Sequence, residues 1–283
     1  MARYALVLGG GGVTGIAWET GLIHGLREQE VDLTTADLLV GTSAGSVVGA
    51  QLATGLTPRA LYARQTIPPD PAIERAPAID LSALMLAFAD QPPATGPLSP
   101  EVCARIGQLA LAAPTEPEES RLTAISARLP IQEWSKRQLL ITTIDAADGR
   151  FVVWDKDSGV SLLLAVASSC AVPMIYSPIT IDGRRYIDGG IRSGTNADLA
   201  AGYPLVIVIA PMAGTPPTRA VLDGEVAGLR AGGSHVEMIC PADAALAAIG
   251  LNPLDPVRRV ASAEAGRAQA DAHVGQLRAA LAG

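Results

Sequence analysis

Cysteine is scarce in this chain. Cys103, Cys170 and Cys240 lie far apart, are odd in number and form no CxxC pair. That excludes a disulfide framework or a structural zinc site and points to reduced, buried thiols in a cytoplasmic protein. Charge is also thin. Asp, Glu, Lys and Arg make up 17 % of 283 residues, the net charge is −7, and no Lys/Arg cluster is present. A nucleic-acid-binding face is therefore not expected. The balance gives no overall attraction to an anionic membrane, although it leaves transient contact with a lipid surface open. A long apolar leader is missing as well: in MARYALVLGGGG only a short apolar stretch precedes the glycines, too short for a signal peptide. The uncharged stretch 160–181 is broken by Pro173 and Pro178. It reads as a buried helix followed by a strand, not as a membrane span.

Apolar residues are plentiful, at 49 %, and 29 glycines punctuate them. This is enough to bury a sheet on both faces. Tyr4–Leu8 is a short apolar run ending in glycines, and a helix is expected over 15–29. Residues 38–40 form a second such run before Gly41, followed by helical spacing over 43–54. Two successive strand–glycine turn–helix units indicate a layered α/β fold with parallel strands. Prolines crowd 58–130, where short helices such as 81–89 are expected and no strand is, so this stretch reads as a helical insertion on the sheet scaffold. Strands resume at 138–145 and 151–154. A helix is expected at 162–168, a hairpin at 179–187 turning at Asp182-Gly183, strands at 205–209 and 236–239, and one long Ala-rich helix over 256–281.

Three glycine-marked segments suggest chemistry. Gly41-Thr42-Ser43-Ala44-Gly45 fits GxSxG, in which small neighbours let a serine sit on a sharp strand-to-helix turn with its oxygen projecting. The plain alternative is a serine N-cap. Gly9 to Gly15 reads GGGGVTG after the first strand, and glycines in such number cost conformational entropy. They suit an oxyanion hole built of backbone N–H groups. They suit equally a GxGxxG dinucleotide turn with Asp32 or Asp37 as the ribose acid. Asp188-Gly189-Gly190 places a carboxylate at a strand end, where it is either a base or an ordinary turn.

Together these segments resemble the patatin-like phospholipases. ALVLGGGGVTGIAWETGLIHGL is similar to that family's glycine-rich entry, GTSAGSVVGA to its elbow, and VASSCAVPMIYSPITIDGRRYIDGG to its approach to the Asp-Gly-Gly motif. The resemblance covers about residues 4–56 and 138–212. It implies one patatin-like domain over 1–283: a three-layer α/β fold with a mainly parallel sheet, and the insertion 58–130 over the site. It implies hydrolysis of lipid carboxylic esters by a Ser43–Asp188 dyad, without metal or organic cofactor. Backbone oxyanion donors are expected among Gly10, Gly11, Gly12 and Gly15, with Gly41, Gly45, Gly189 and Gly190 shaping the elbow and the aspartate loop.

The family commonly carries Arg or Lys where this chain has Thr14, and Asn-x-Pro where Asn196-Ala197-Asp198 comes late. In the insertion, Leu81, Leu84, Met85 and Phe88 share a helical face, either core or acyl contacts; Met85 and Phe88 are the candidates for the latter. His24 and His273 read as packing or surface residues. His235 follows Asp188 in the order of a hydrolase triad but starts a strand, whereas sites gather at carboxyl ends of parallel strands. The rivals are a dinucleotide-binding oxidoreductase and a non-catalytic acyl-binding protein. The expected partner is a lipid or acyl ester; the oligomeric state is left open.

Overall fold

A computed structural model describes residues 3–68, 77, 94–214 and 216–283. The expected helix at 81–89, and with it Met85 and Phe88, lies outside the described residues.

The sheet has eight strands: β1 (Tyr4–Leu8), β2 (Leu38–Gly41), β3 (Gln138–Asp145), β4 (Phe151–Trp154), β5 (Ile179–Ile181), β6 (Arg184–Asp188), β7 (Leu205–Ile209) and β8 (His235–Ile239). Strands β3, β2, β1, β7 and β8 lie side by side and parallel, while β4, β5 and β6 pair antiparallel at the β3 end. The central strands β1 and β7 are buried at every residue. Alternation sorts their side chains: Tyr4, Leu6 and Leu8 enter one core, and Ala5 and Val7 enter the other. Helices cover both faces, which makes the fold three-layered α/β.

Helix α1 (Gly12–Glu28) follows β1, and α2 (Ala44–Ala53) follows β2. Described helices of the insertion are α3 (Pro58–Thr66), α4 (Pro100–Ala112) and α5 (Glu118–Arg128). In α4, Cys103, Ile106 and Ala110 pack on Ile144 of β3 and Ile187 of β6, so the insertion shares its core with the sheet. Helices α6 (Leu162–Ser169), α7 (Pro216–Ala231) and α8 (Asp243–Ile249) precede the C-terminal pair α9 (Arg259–Gln269) and α10 (Val274–Ala282). The expected single helix 256–281 is thus broken. It interrupts just after Gln269, whose side-chain amide accepts from Trp18 Nε1 and Ala242 N and donates to Cys240 O. Tertiary anchoring overrides an unbroken helical pattern there. Among the described residues no helix is long and apolar enough to cross a membrane.

The registers fix what meets at the centre. Ile141 pairs with Gly41 of β2 and with Trp154 of β4, so β2 and β4 occupy opposite edges of β3. Thr143 and Ile144 pair with both β4 and β6, so β6 takes the edge that β2 has just left. Strand β2 runs parallel to β3 and β6 antiparallel, so their carboxyl ends arrive head to head at Thr142.

Candidate active site

Ser43 leaves β2 with φ 51° and ψ −114°, a left-handed backbone unusual for a side chain with a Cβ. Such a residue costs about 1–3 kcal/mol and persists only where its surroundings over-determine it. Its N–H donates to Ser169 Oγ (2.9 Å), while its carbonyl accepts from Ser46 Oγ (2.7 Å) and Cys170 Sγ (3.2 Å). Glycine is obligatory at position 45, where a Cβ would stand 2.0 Å from the carbonyl oxygen of Leu8. The turn can therefore press directly on the end of β1.

Asp188 ends β6 and is 5 % exposed; Ser43 is 8 % exposed. The Ser43 hydroxyl is among the groups that act on the carboxylate, which accepts the N–H of Gly190 at 2.7 Å. Burial pushes Asp188 up to about 6, and the Ser43 hydroxyl, the Gly190 N–H and the Arg121 guanidinium hold it back from rising further. Its own N–H donates to Ala171 O at 3.0 Å. Residues 169–171 thus grip both ends of the pair: Ser169 and Cys170 hold Ser43, and Ala171 holds Asp188.

The glycine run lies beside the serine, since a Cβ on Gly10 would sit 3.5 Å from that of Ser43. Two of the four expected backbone donors are already engaged: Gly10 N–H donates to Gly194 O, and Gly15 N–H to Gly11 O, both at 2.8 Å. The N–H groups of Gly10 and Gly15 are thus engaged within the chain. Among the described residues the N–H groups of Gly11 and Gly12 have no acceptor. They open α1, as Ala44 opens α2, so two helix N-termini flank Ser43 and favour negative charge there. Gly12 adopts φ +60°, and a Cβ on it would meet Pro253 O at 2.5 Å. The close neighbour of the turn is thus the chain's own segment around Pro253. Asp37 accepts the N–H of Tyr4 at the opposite end of β1, and Asp32 caps the short turn Leu33–Thr35. Neither carboxylate has the position of a ribose acid, so the dinucleotide reading loses that part.

The histidines stand apart. His235 is exposed and pairs with Glu237 at the amino end of β8, an outer strand separated from β2 by β7 and β1. His24 stacks against Tyr62, and His273 contacts Gln269. Cys103 and Cys170 are buried and unpaired as expected, but Cys240 is only half-buried.

For several site residues the sequence named no partners. Asn196, fully buried with φ 49°, points its Nδ2 at Thr42 Oγ1 (3.0 Å), Thr142 Oγ1 (3.3 Å), Gly189 O (3.2 Å) and Ser193 O (2.9 Å). Four acceptors around two hydrogens tie the aspartate loop to the elbow. This is the asparagine that falls late against the family's Asn-x-Pro. Arg121, on α5, is buried; it donates to Cys170 O (2.8 Å) and stacks 3.7 Å over the Tyr176 ring. Burial lowers its pKa.

A strained serine on a strand-to-helix turn, a buried carboxylate and a glycine loop, set on a three-layer sheet, define a patatin-like arrangement. The patatin-like phospholipase family model matches residues 6–201, and the chain belongs to that family. No curated protein sequence matches it significantly. Among solved structures it is similar to VipD from Legionella pneumophila, at 13 % identity and TM-score 0.49, covering 98 % of this chain and 67 % of that one. Human GIVD cytosolic phospholipase A2 with a fluorophosphonate inhibitor gives 12 % and 0.46, covering 99 % and 60 %. The ExoU–SpcU complex of Pseudomonas aeruginosa gives 17 % and 0.39, covering 98 % and 52 %. The chain thus spans from about half to two thirds of these chains.

Proposed function

We propose that this protein hydrolyses carboxylic ester bonds of lipids, with Ser43 as nucleophile and Asp188 as the base. The observation that carries the reading is a strained, buried serine whose hydroxyl acts on the buried carboxylate of Asp188, which burial pushes up to about 6. Such a group is ionised at neutral pH yet a better base than an exposed aspartate. Ser43 Oγ attacks the ester carbonyl as its proton passes to Asp188, and the carbonyl oxygen becomes an oxyanion facing the N–H groups of Gly11 and Gly12. The intermediate collapses, the alcohol leaves with the proton from Asp188, and the acyl group stays on Ser43. Water then gives its proton to Asp188 and attacks the acyl carbon, and collapse returns the proton to Ser43 Oγ. These steps call on no metal, organic cofactor or histidine.

The test is covalent. A fluorophosphonate probe should label Ser43 alone, Ser43→Ala should abolish labelling and turnover, and His235→Ala should stay within a few-fold of the parent on a short-chain nitrophenyl ester. Labelling at another residue refutes the nucleophile. Collapse of His235→Ala with its fold intact refutes the dyad. A folded protein that binds lipid but reacts with no activated ester belongs to the acyl-binding rival.

A further inference from the structure

Helix α7 lies beyond the stretch matched by the family model. Its Leu222, Val226 and Leu229 join the core formed by Ala5, Val7, Val206 and Val208 of β1 and β7. Glu225 stands beside Val226, one turn from Leu222 and Leu229, and is 5 % exposed. Burial raises its pKa, the Ser193 and Thr195 hydroxyls and the Ala197 N–H oppose the rise, and the charge of Asp198 adds to it. A carboxylate in such a place has lost its water, and packing alone would be served at least as well by an apolar side chain of that size. The group it grips is the hydroxyl of Thr195, which donates to Glu225 Oε2.

Thr195 belongs to the short loop 193–197, which touches all three parts of the proposed site. Gly194 O accepts the Gly10 N–H of the glycine run at 2.8 Å. Thr195 O accepts from the hydroxyl of Thr42, the residue before Ser43, at 3.3 Å. Asn196 Nδ2 donates to the carbonyl of Gly189, the residue after Asp188, at 3.2 Å. The loop keeps its own shape through short-range bonds, since Ser193 Oγ accepts the N–H groups of Thr195 (3.2 Å) and Asn196 (3.1 Å). Arg192, which donates to Asn196 and Asp198, belongs to the same segment and moves with it. Bonds of this kind fix a shape but not a place. Glu225 gives the loop a fixed point on a helix packed against the sheet.

We propose that Glu225 is a positioning residue for this site: its carboxylate holds Thr195, and through the loop 193–197 it sets the glycine run, the elbow and the aspartate loop relative to one another. It touches no reacting atom. The proposal rests on the lipid-hydrolase reading for its purpose, while the anchoring itself is measured without turnover. Loosening at Glu225 has a local signature, because the Gly10 N–H is bonded across to the loop. The Gly10 amide then opens to exchange with solvent, while the amides of Leu6 and Val7, inside the buried strand β1, stay protected.

The experiment compares the full chain with Glu225→Met, Glu225→Gln, Thr195→Val and the combination of Glu225→Met with Thr195→Val, by amide exchange in NMR and by nitrophenyl ester kinetics. Glu225→Met fills the space without an acceptor. It should speed Gly10 exchange and lower kcat by about tenfold or more each, the scale of one buried hydrogen bond to a charged group, with KM little changed. Glu225→Gln keeps an oxygen for the Thr195 hydroxyl and should restore most of both. Thr195→Val deletes that hydroxyl from a side chain of the same shape and should act in the same direction; it carries the test if Glu225→Met does not fold. Either change removes the same bond, so the double variant should be little worse than the worse single one. Gly10 exchange that is unchanged in the folded variants, or that rises in step with Leu6 and Val7, overturns the proposal. So do effects on kcat that add in full in the double variant, since Glu225 then does not act through Thr195. If the parent hydrolyses no ester yet Gly10 opens as expected, the anchoring holds and the hydrolase reading falls; ester hydrolysis with Gly10 unmoved does the reverse.

Discussion

Thr42 and Thr142 face each other hydroxyl to hydroxyl, 2.9 Å apart, where β2 ends and β6 takes over the edge of β3. Both are fully buried, and both hydroxyls lie within reach of Asn196 Nδ2. The pair marks the seam between two chain segments arriving from opposite directions. Ser43 follows Thr42 directly, and Asp188 pairs with the neighbour of Thr142. The approach of serine and aspartate is therefore set by strand register rather than by a loop.

Asp188 should make the native state less stable than it would be with a neutral group there. Its pKa rises from 3.8 to about 6 on folding, a difference worth about 3 kcal/mol. The sign follows from the acid. Below 3.8 the carboxyl is neutral in both states and costs nothing; above about 6 it must ionise while buried, and the cost is fully present. Asp188→Asn is thus expected to abolish turnover while raising the thermal midpoint at pH 8, with the gain shrinking to almost nothing toward pH 4. A variant less stable at pH 8 would contradict the burial argument.

Ser169 should matter through Ser43 although it reacts with nothing. Ser169→Ala removes the acceptor of the Ser43 N–H, leaving a buried donor unpaired in a strained turn, at about 1–3 kcal/mol. The strain adds to the effect, because the elbow keeps its left-handed backbone only while it is held. Urea unfolding should show the loss of stability, and kcat on a nitrophenyl ester should fall with little change in KM. An unchanged kcat would reduce Ser169 to a packing residue.

How much of this was legible in the sequence follows from what kind of fact each was. Apolar runs announced the buried strands, since Tyr4–Leu8 and Leu205–Ile209 are covered on both faces. Glycine-marked turns announced Ser43 and Asp188, because a strained elbow and a strand-end carboxylate need local residue types. Helices α7 and α8 were not anticipated, and α9 and α10 were expected as one. Which glycine N–H groups are engaged was beyond reach too, because the carbonyl that engages Gly10 belongs to Gly194 and is brought there only by the fold. Asn196, Ser169 and Arg121 likewise take their roles from distant partners, and their own neighbours in the chain say nothing of those partners.

Arg121 yields the prediction that most directly joins the insertion to the chemistry. Its guanidinium is buried, donates to Cys170 O and acts on Asp188 as a positive charge that holds the carboxyl's pKa down. Around it stand the Tyr176 ring, Cys170 and Arg128, and Asp188 itself is faced by the Ser43 hydroxyl and the Gly190 N–H. Arg121→Met removes the charge and leaves burial less opposed, so the Asp188 pKa should rise above about 6. A base that needs to be ionised then works only at higher pH, and the acid limb of the kcat/KM profile should move upward. Arg121→Lys keeps a charge in the same region and should return the limb most of the way, even though it cannot reproduce the planar stack on Tyr176. A purely structural role makes a different forecast: Arg121→Met would lower the thermal midpoint and scale the whole profile down without moving its limb. Profiles for the three proteins, each measured where circular dichroism shows it folded, separate the two. A limb fixed in position across all of them would show that the charge of Arg121 does not reach the base.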